Sequence, residues 1–346
     1  MACALPRSAP VSAVPPAPAG PRRPARASRN AARPAPDWRM SGTRPWQHAA
    51  LSPKRRDADT GTLHRREPPM SMRSLLMLLC LSMVGCSSLP SDPASGHFVS
   101  RQLTVGGRLY RYQVFVPAPP LRQGPLPVVL FLHGSGERGS DGRQQADSGV
   151  GSYLRRHLAD FPALVVMPQV PDDEEWNGIN ATMALQALDA ASTEFNGDPQ
   201  RTYLTGMSMG GYGTWEIALQ QPQRFAALVP VCGAILSPHE DREYLVVTPV
   251  AELSDPYTAL AERLQRIPVW IFHGAEDDVV LPHDDRKIYR AFKNLDADVR
   301  YTEYPEGNHN AWDATYRNPK MWQWLFAQKR GADTADAAPE TATGGS

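Results

Sequence analysis

A serine, an aspartate and a histidine stand in an order and in surroundings that suit acyl transfer. Residues 203–215 read Y-L-T-G-M-S-M-G-G-Y-G-T-W: an apolar run stops at Gly206, Ser208 stands two residues on, and Gly210 follows it. A strand that turns abruptly into a helix holds the residue at its tip in strained backbone geometry, so the neighbours two before and two after must be very small. Gly206 and Gly210 meet that demand, and the turn would push the Ser208 hydroxyl out of the sheet. The backbone N–H of Met209, at the start of the helix, would then face any oxyanion formed there.

A serine hydroxyl needs a neutral imidazole to take its proton and a carboxylate to hold that imidazole's tautomer. His309 is the expected base, because it lies in the Gly/Asn-rich stretch G-N-H-N-A-W (307–312), where no apolar periodicity accounts for it. His133 and His273 each begin an H-G turn and are expected to bond the backbone, while His239 and His283 sit in polar surroundings. Asp277 and Asp278 are adjacent, and consecutive loop side chains point apart, so one of them reaches His309. Asp277 is preferred, with Asp278 as a loop cap or solvated charge. The second oxyanion donor is expected to be the N–H of Ser135 in H-G-S-G (133–136). Gly134 and Gly136 either admit a closely approaching substrate or merely make a tight turn.

Around these residues the expectations are structural. Glu137, Arg138 and Asp141 are expected to pair and stiffen their loop, and the acidic run 172–175 reads as a solvated loop. Gly134, Trp176 and Tyr212 are candidates to line a substrate pocket, with ordinary packing the competing reading for the two aromatics. No H-E-x-x-H, C-x-x-C or ligand-spaced carboxylate cluster occurs, so neither a metal nor another cofactor is expected.

Short apolar runs at 128–132, 164–167, 202–205, 227–231 and 269–272 lack clean alternation, as strands covered on both faces do. Helical stretches at 153–159, 181–195, 210–220, 257–263 and 284–294 lie between them, and a strand at 299–304 and a helix at 319–328 close the series. Ahead of them, 98–104 and 109–116 flank Gly106-Gly107 as an antiparallel hairpin. This alternation predicts an α/β fold, a mostly parallel central sheet with helices on both faces. All four candidate segments fall just after strands, at the carboxyl edge where such sheets collect functional residues.

The formal net charge is zero, but residues 1–86 hold 14 Lys/Arg and 4 Asp/Glu, which leaves 22 and 32 of the 36 and 36 to the rest. That acidic remainder argues against a nucleic-acid partner. Residues 1–69 are rich in Pro, Ala and Arg and read as disordered, or as an upstream stretch never translated if the start is Met70 or Met72. Arg73, the apolar run 75–84 and V-G-C ending at Cys86 resemble a bacterial lipoprotein signal with its lipobox. That resemblance implies acylation of Cys86, a membrane partner reached through a lipid anchor, and an address at the outer membrane facing the periplasm or exterior. An ordinary cleaved signal is the alternative. Residues 87–96 form a tether, 97–330 one catalytic domain and 331–346 a disordered tail. Cys232 would then be the free thiol of the mature chain, a small buried hydrophobe rather than a nucleophile.

Taken together, H-G-S-G-E-R-G-S-D, G-M-S-M-G-G-Y-G-T-W, H-G-A-E-D-D-V-V-L-P and G-N-H-N-A-W-D resemble the α/β-hydrolase superfamily. More narrowly they resemble its branch of predicted peptidases, polyhydroxybutyrate-depolymerase-like and dienelactone-hydrolase-like carboxylesterases. The resemblance covers roughly residues 98–327 and implies the α/β-hydrolase fold, with Ser208 as nucleophile, Asp277 as acid and His309 as base. It implies a small-molecule ester substrate cleaved through an acyl-enzyme. Only 237–257 is long enough to form a modest cap. A small-peptide hydrolase with the same triad, a non-catalytic envelope-binding protein on this scaffold, and an acyltransferase are the competing readings.

Overall fold

The computed structural model describes residues 94–239 and 242–331. The leader, the signal with Cys86, most of the tether and the tail after Gly331 therefore lie outside the described residues. Eight strands form the sheet: β1 (His97–Val105), β2 (Arg108–Val116), β3 (Leu126–Leu132), β4 (Leu164–Pro168), β5 (Gly197–Met207), β6 (Ala227–Val231), β7 (Val269–Gly274) and β8 (Val299–Tyr304). Their order is β1-β2-β4-β3-β5-β6-β7-β8. β1 and β2 pair antiparallel across Gly106-Gly107, β2 runs antiparallel to β4, and every pairing from β4 to β8 is parallel.

The apolar runs lack alternation because both faces of the parallel strands are covered. Val128, Leu130 and Leu132 of β3 pack on one side with Trp215, Leu260 and Phe292. Val129 and Phe131 of the same strand pack on the other with Val150, Tyr316 and Leu325. The first layer is built by α2 (Gly178–Glu194), α3 (Met209–Gln220), α4 (Pro256–Leu264) and α5 (His283–Asn294). The second is built by α1 (Gly149–Leu154), α6 (Ala311–Tyr316) and α7 (Pro319–Ala327). This is the expected α/β architecture. None of the described helices is long and apolar enough to cross a membrane.

Two helix expectations change. The helix placed at 153–159 occupies Gly149–Leu154 instead, because Val150 and Leu154 are the residues that bury against the sheet. The stretch 307–312, expected as pure loop, enters α6 at Ala311, where the Asn310 side chain caps the helix by accepting from the Asp313 N–H. The cap expected at 237–257 is a strap of turns between β6 and α4, anchored by its own buried Leu245, Val247 and Val250.

Candidate active site

Ser208 sits at the junction of β5 and α3 with φ 54° and ψ −120°, a conformation that costs a non-glycine residue about 1–3 kcal/mol. The turn is locked from both sides. The Ser208 N–H donates to the Val231 carbonyl (2.9 Å), and the Ser208 carbonyl accepts from Gly211 (2.7 Å) and Tyr212 (3.2 Å). A Cβ on Gly206 would collide with the Gly210 carbonyl, and a Cβ on Gly210 with the Leu132 carbonyl. Neither contact can be relieved by a rotamer change, since the obstacle is backbone.

From this tip a line of hydrogen bonds runs into the interior. Ser208 Oγ lies 2.8 Å from His309 Nε2, and His309 Nδ1 lies 2.8 Å from Asp277 Oδ2. Because an ionised carboxylate only accepts, Nδ1 carries the proton, and the Nε2 lone pair faces the serine hydroxyl. Asp277 is 2% exposed, and its other oxygen accepts the N–H groups of Val279 (3.0 Å) and Val280 (2.9 Å). Burial opposes charging this carboxyl, but hydrogen bonds from His273, His309 and Val280 outweigh it and hold it well below the ordinary carboxylate range. Asp278 points to solvent.

The early loop lies alongside. Ser135–Glu137 is a single 3-10 turn, and a Cβ on Gly134 would sit 3.6 Å from the Ser208 Cβ. Among the described residues, no hydrogen bond occupies the N–H of Ser135 or of Met209. A cleft of about 270 Å³ opens over Ser208 and His309, walled by Gly134, Ser135, Val279, Trp312 and Arg242 of the strap. Hollows of about 480 and 490 Å³ lie elsewhere, the first lined by Pro222, Glu262, Arg266 and Lys329 and the second beside β1 and β2, and neither borders Ser208 or His309.

Gly134 lines the cleft, whereas the two aromatic candidates do not. Trp176 is 2% exposed and packs on Gly213, and Tyr212, also 2% exposed, donates its hydroxyl to the Leu236 carbonyl (3.1 Å). Both are framework residues. The expected pairing among Glu137, Arg138 and Asp141 does not form. Arg138 instead pairs with Glu175 and donates to the Glu174 carbonyl (2.7 Å), while Asp141 accepts from the Arg143 N–H (2.8 Å) and from Gln169 (3.0 Å). The acidic run is correspondingly not wholly solvated, since Glu175 is buried to receive Arg138.

His133 bonds backbone as expected: Nδ1–H donates to the Gly134 carbonyl (2.6 Å), and Nε2 accepts from the Val170 N–H (3.0 Å). His273 does more than that. Its Nε2 faces the Val280 carbonyl (2.8 Å) and Asp277 Oδ2 (3.2 Å), and its Nδ1 faces Asp285 Oδ2 (2.7 Å). Sequence reading missed Asp285, and also Arg242, whose Nη1 lies 3.4 Å from Ser135 Oγ. An acidic pair opening α5 directly after the loop of Asp277 was the one available hint.

Cys232, Asp277 and His309 bring ligand atoms within 4.8 Å of one another. They make a poor metal site, because both Asp277 oxygens already accept N–H groups and burial pushes the Cys232 thiol pKa up, keeping it protonated.

Residues 173–328 match the Prolyl oligopeptidase family. A poly(3-hydroxyoctanoate) depolymerase of Pseudomonas fluorescens is 28% identical over 245 residues, 63% of this chain and 80% of the relative. An uncharacterized secreted protein of Arthroderma benhamiae is 28% identical over 207 residues, 54% of this chain but only 22% of that protein's length. Among solved structures, a thermostable esterase superposes with a TM-score of 0.56 at 30% identity, covering 67% of this chain and 63% of the other. Strand order, the turn at Ser208 and the superposition on the esterase together give the chain the α/β-hydrolase fold.

Proposed function

We propose that this chain cleaves carboxylic esters through an acyl-enzyme, with Ser208 as nucleophile, His309 as general base and Asp277 as the carboxylate that orients it. The observation that carries this reading is the unbroken line from Ser208 Oγ through His309 to Asp277, 2.8 Å at each step, opening on the cleft. As Ser208 Oγ attacks the carbonyl carbon, His309 Nε2 takes its proton and the imidazolium is stabilised by Asp277. The carbonyl oxygen, now negative, accepts from the N–H groups of Met209 and Ser135, each donor contributing about 10²–10³-fold. His309 then protonates the departing alcohol, and water repeats the two steps on the acyl-serine.

Ester rather than peptide substrates are favoured by the names of the depolymerase and esterase relatives. The match to the Prolyl oligopeptidase family keeps a small-peptide hydrolase as the second reading. An exported protein anchored through Cys86 fits both, with support from the signal-like segment and from one relative described as secreted. The test is initial rates on p-nitrophenyl esters of increasing acyl length, with protein from Ser87 onward and a Ser208→Ala control. A loss of about 10⁴-fold or more in the control supports the reading. Equal rates in the two proteins sink it, and turnover of amides alone would move the peptidase reading to the front.

A further inference from the structure

Behind the triad lies a second buried pair that acyl transfer does not by itself require. His273 and Asp285 are both 0% exposed; His273 Nε2 approaches the same Asp277 oxygen that His309 contacts, and Asp285 holds the other nitrogen of the His273 ring. We infer that His273 is a positioning residue of the active site, held doubly protonated between Asp277 and Asp285, where it fixes the triad carboxylate and weakens the pull of that carboxylate on the proton of His309. This rests on the triad reading above and names what sets the behaviour of that same site.

Geometry assigns the first proton. The Val280 carbonyl can only accept, so Nε2 of His273 is an N–H, and it is shared with Asp277 Oδ2 at 3.2 Å. Oδ2 of Asp277 thus receives N–H groups from two imidazoles, and Oδ1 receives two from the backbone. The second proton lies between Nδ1 and Asp285 Oδ2, 2.7 Å apart. Two features keep it on the ring: Asp285 lies in the first turn of α5, where the helix favours a negative charge, and Asp277 on the far side favours a cation between the two. Burial alone would lower the His273 pKa, but its two carboxylate partners raise it to about 10.

The other groups facing the pair leave this charge in place. Cys232 beyond β6 and Tyr212 on α3 stay neutral, their pKa values pushed up by burial. Tyr301 of β8 is likewise raised, and Glu303 beside it is paired with Arg286 at 2.7 Å. Asp284 on α5 is turned the other way, accepting from the Tyr257 hydroxyl (2.6 Å) and from the N–H groups of Ile235 and Leu236. The arrangement is therefore two carboxylates with one imidazolium between them. An Asp277 already facing a cation attracts the imidazolium that forms on His309 less strongly than a bare carboxylate would.

Two measurements test this. In wild-type protein with 15N-labelled histidine, both ring nitrogens of His273 should carry protons at pH 8, and a ring with one bare nitrogen there overturns the proposal. Asp285→Asn keeps the shape and leaves Nε2–H on Asp277 while letting the ring lose its second proton. The acid limb of kcat/KM on a neutral p-nitrophenyl ester should then move up by roughly half a unit to one unit. A purely structural role would lower the rate and the melting temperature with the limb unmoved, and that result also overturns the proposal. If Asp285→Asn does not fold, the nitrogen measurement decides alone. Failure of the esterase reading shows separately, as wild-type turnover that Ser208→Ala does not reduce.

Discussion

Trp176 donates its indole N–H to the main-chain carbonyl of His133 at 3.0 Å, and its ring meets the His133 imidazole edge-on with centroids 4.9 Å apart. Trp176, two residues before α2, is thereby tied to the residue that follows β3, one position ahead of the glycine that borders Ser208. Trp176→Phe keeps most of the packing and removes the donor, leaving a buried carbonyl without its partner. Stability should fall by about 1–2 kcal/mol. Because the same carbonyl steadies the segment of Ser135, kcat should drop roughly three- to tenfold with KM less affected. Urea unfolding and steady-state kinetics on one ester read the two effects, and an unchanged kcat would separate the tie from catalysis.

The two adjacent aspartates differ in what they touch. Asp277 accepts from His309 and from two backbone N–H groups, whereas Asp278 is exposed. Asp277→Asn places an amide where Nδ1–H needs an acceptor and favours the wrong tautomer, for an expected loss of about 10³–10⁴ in kcat. Asp278→Asn should stay within about threefold of wild type. Comparable losses in both would move the acid's role away from Asp277.

What could be read from the sequence is what local chemistry dictates. The turn at Ser208 is legible because only glycine fits beside it, and the strands are legible because burial on both faces removes alternation. His309 stands out for lack of any structural reason in its own neighbourhood. The ties between distant segments left no such mark. Arg138 meets Glu175 across 37 residues and Tyr212 meets Leu236 across 24, and neither partner is chosen by periodicity or turn preference. Trp176 and Tyr212 look the same in sequence whether they face a cleft or the core. Asp285 is hidden because an acidic residue opening a helix already has a sufficient local explanation.

His133 makes folding sensitive to mild acid. Burial lowers its pKa from 6.5 to about 4, and its backbone partners hold the neutral ring with Nε2 as acceptor. The unfolded chain therefore takes up this proton below pH 6.5 while the folded chain refuses it until about pH 4. Stability supplied by the neutral ring is full above pH 6.5 and is lost as pH falls between those values, by roughly 3 kcal/mol in all. Glu175 and Asp285, each raised to about 6 by burial, act in the opposite sense over part of this range, so the effect is read as a difference. Urea unfolding at pH 7 and pH 4.5 should show wild type losing more stability than His133→Gln, and parallel losses would remove His133 as the cause.

The strap that brings Arg242 to the wall of the cleft hangs from a buried carboxylate in the helix that Ser208 begins. Glu216 is 2% exposed and accepts from the Thr248 N–H (2.7 Å), the Thr248 hydroxyl (2.8 Å) and Gln220 (3.1 Å). At the strap's start, the Ser237 hydroxyl donates to the Arg242 carbonyl (2.7 Å), and the Tyr212 hydroxyl holds Leu236. Glu216→Ala removes the acceptor from the far side alone, leaving the buried Leu245 and Val247 as the main restraint on the segment. Losing charge-assisted bonds of this kind costs about 2 kcal/mol locally, which raises the open population of the strap roughly 30-fold. Arg242 and the exposed Tyr244 should then be cut by trypsin and chymotrypsin correspondingly faster, while the far-ultraviolet spectrum stays native. Since Arg242 also reaches Ser135 Oγ, the loosened strap should raise KM for bulky esters more than for acetate. Unaltered cleavage rates would mean that Leu245, Val247 and Val250 hold the strap without Glu216.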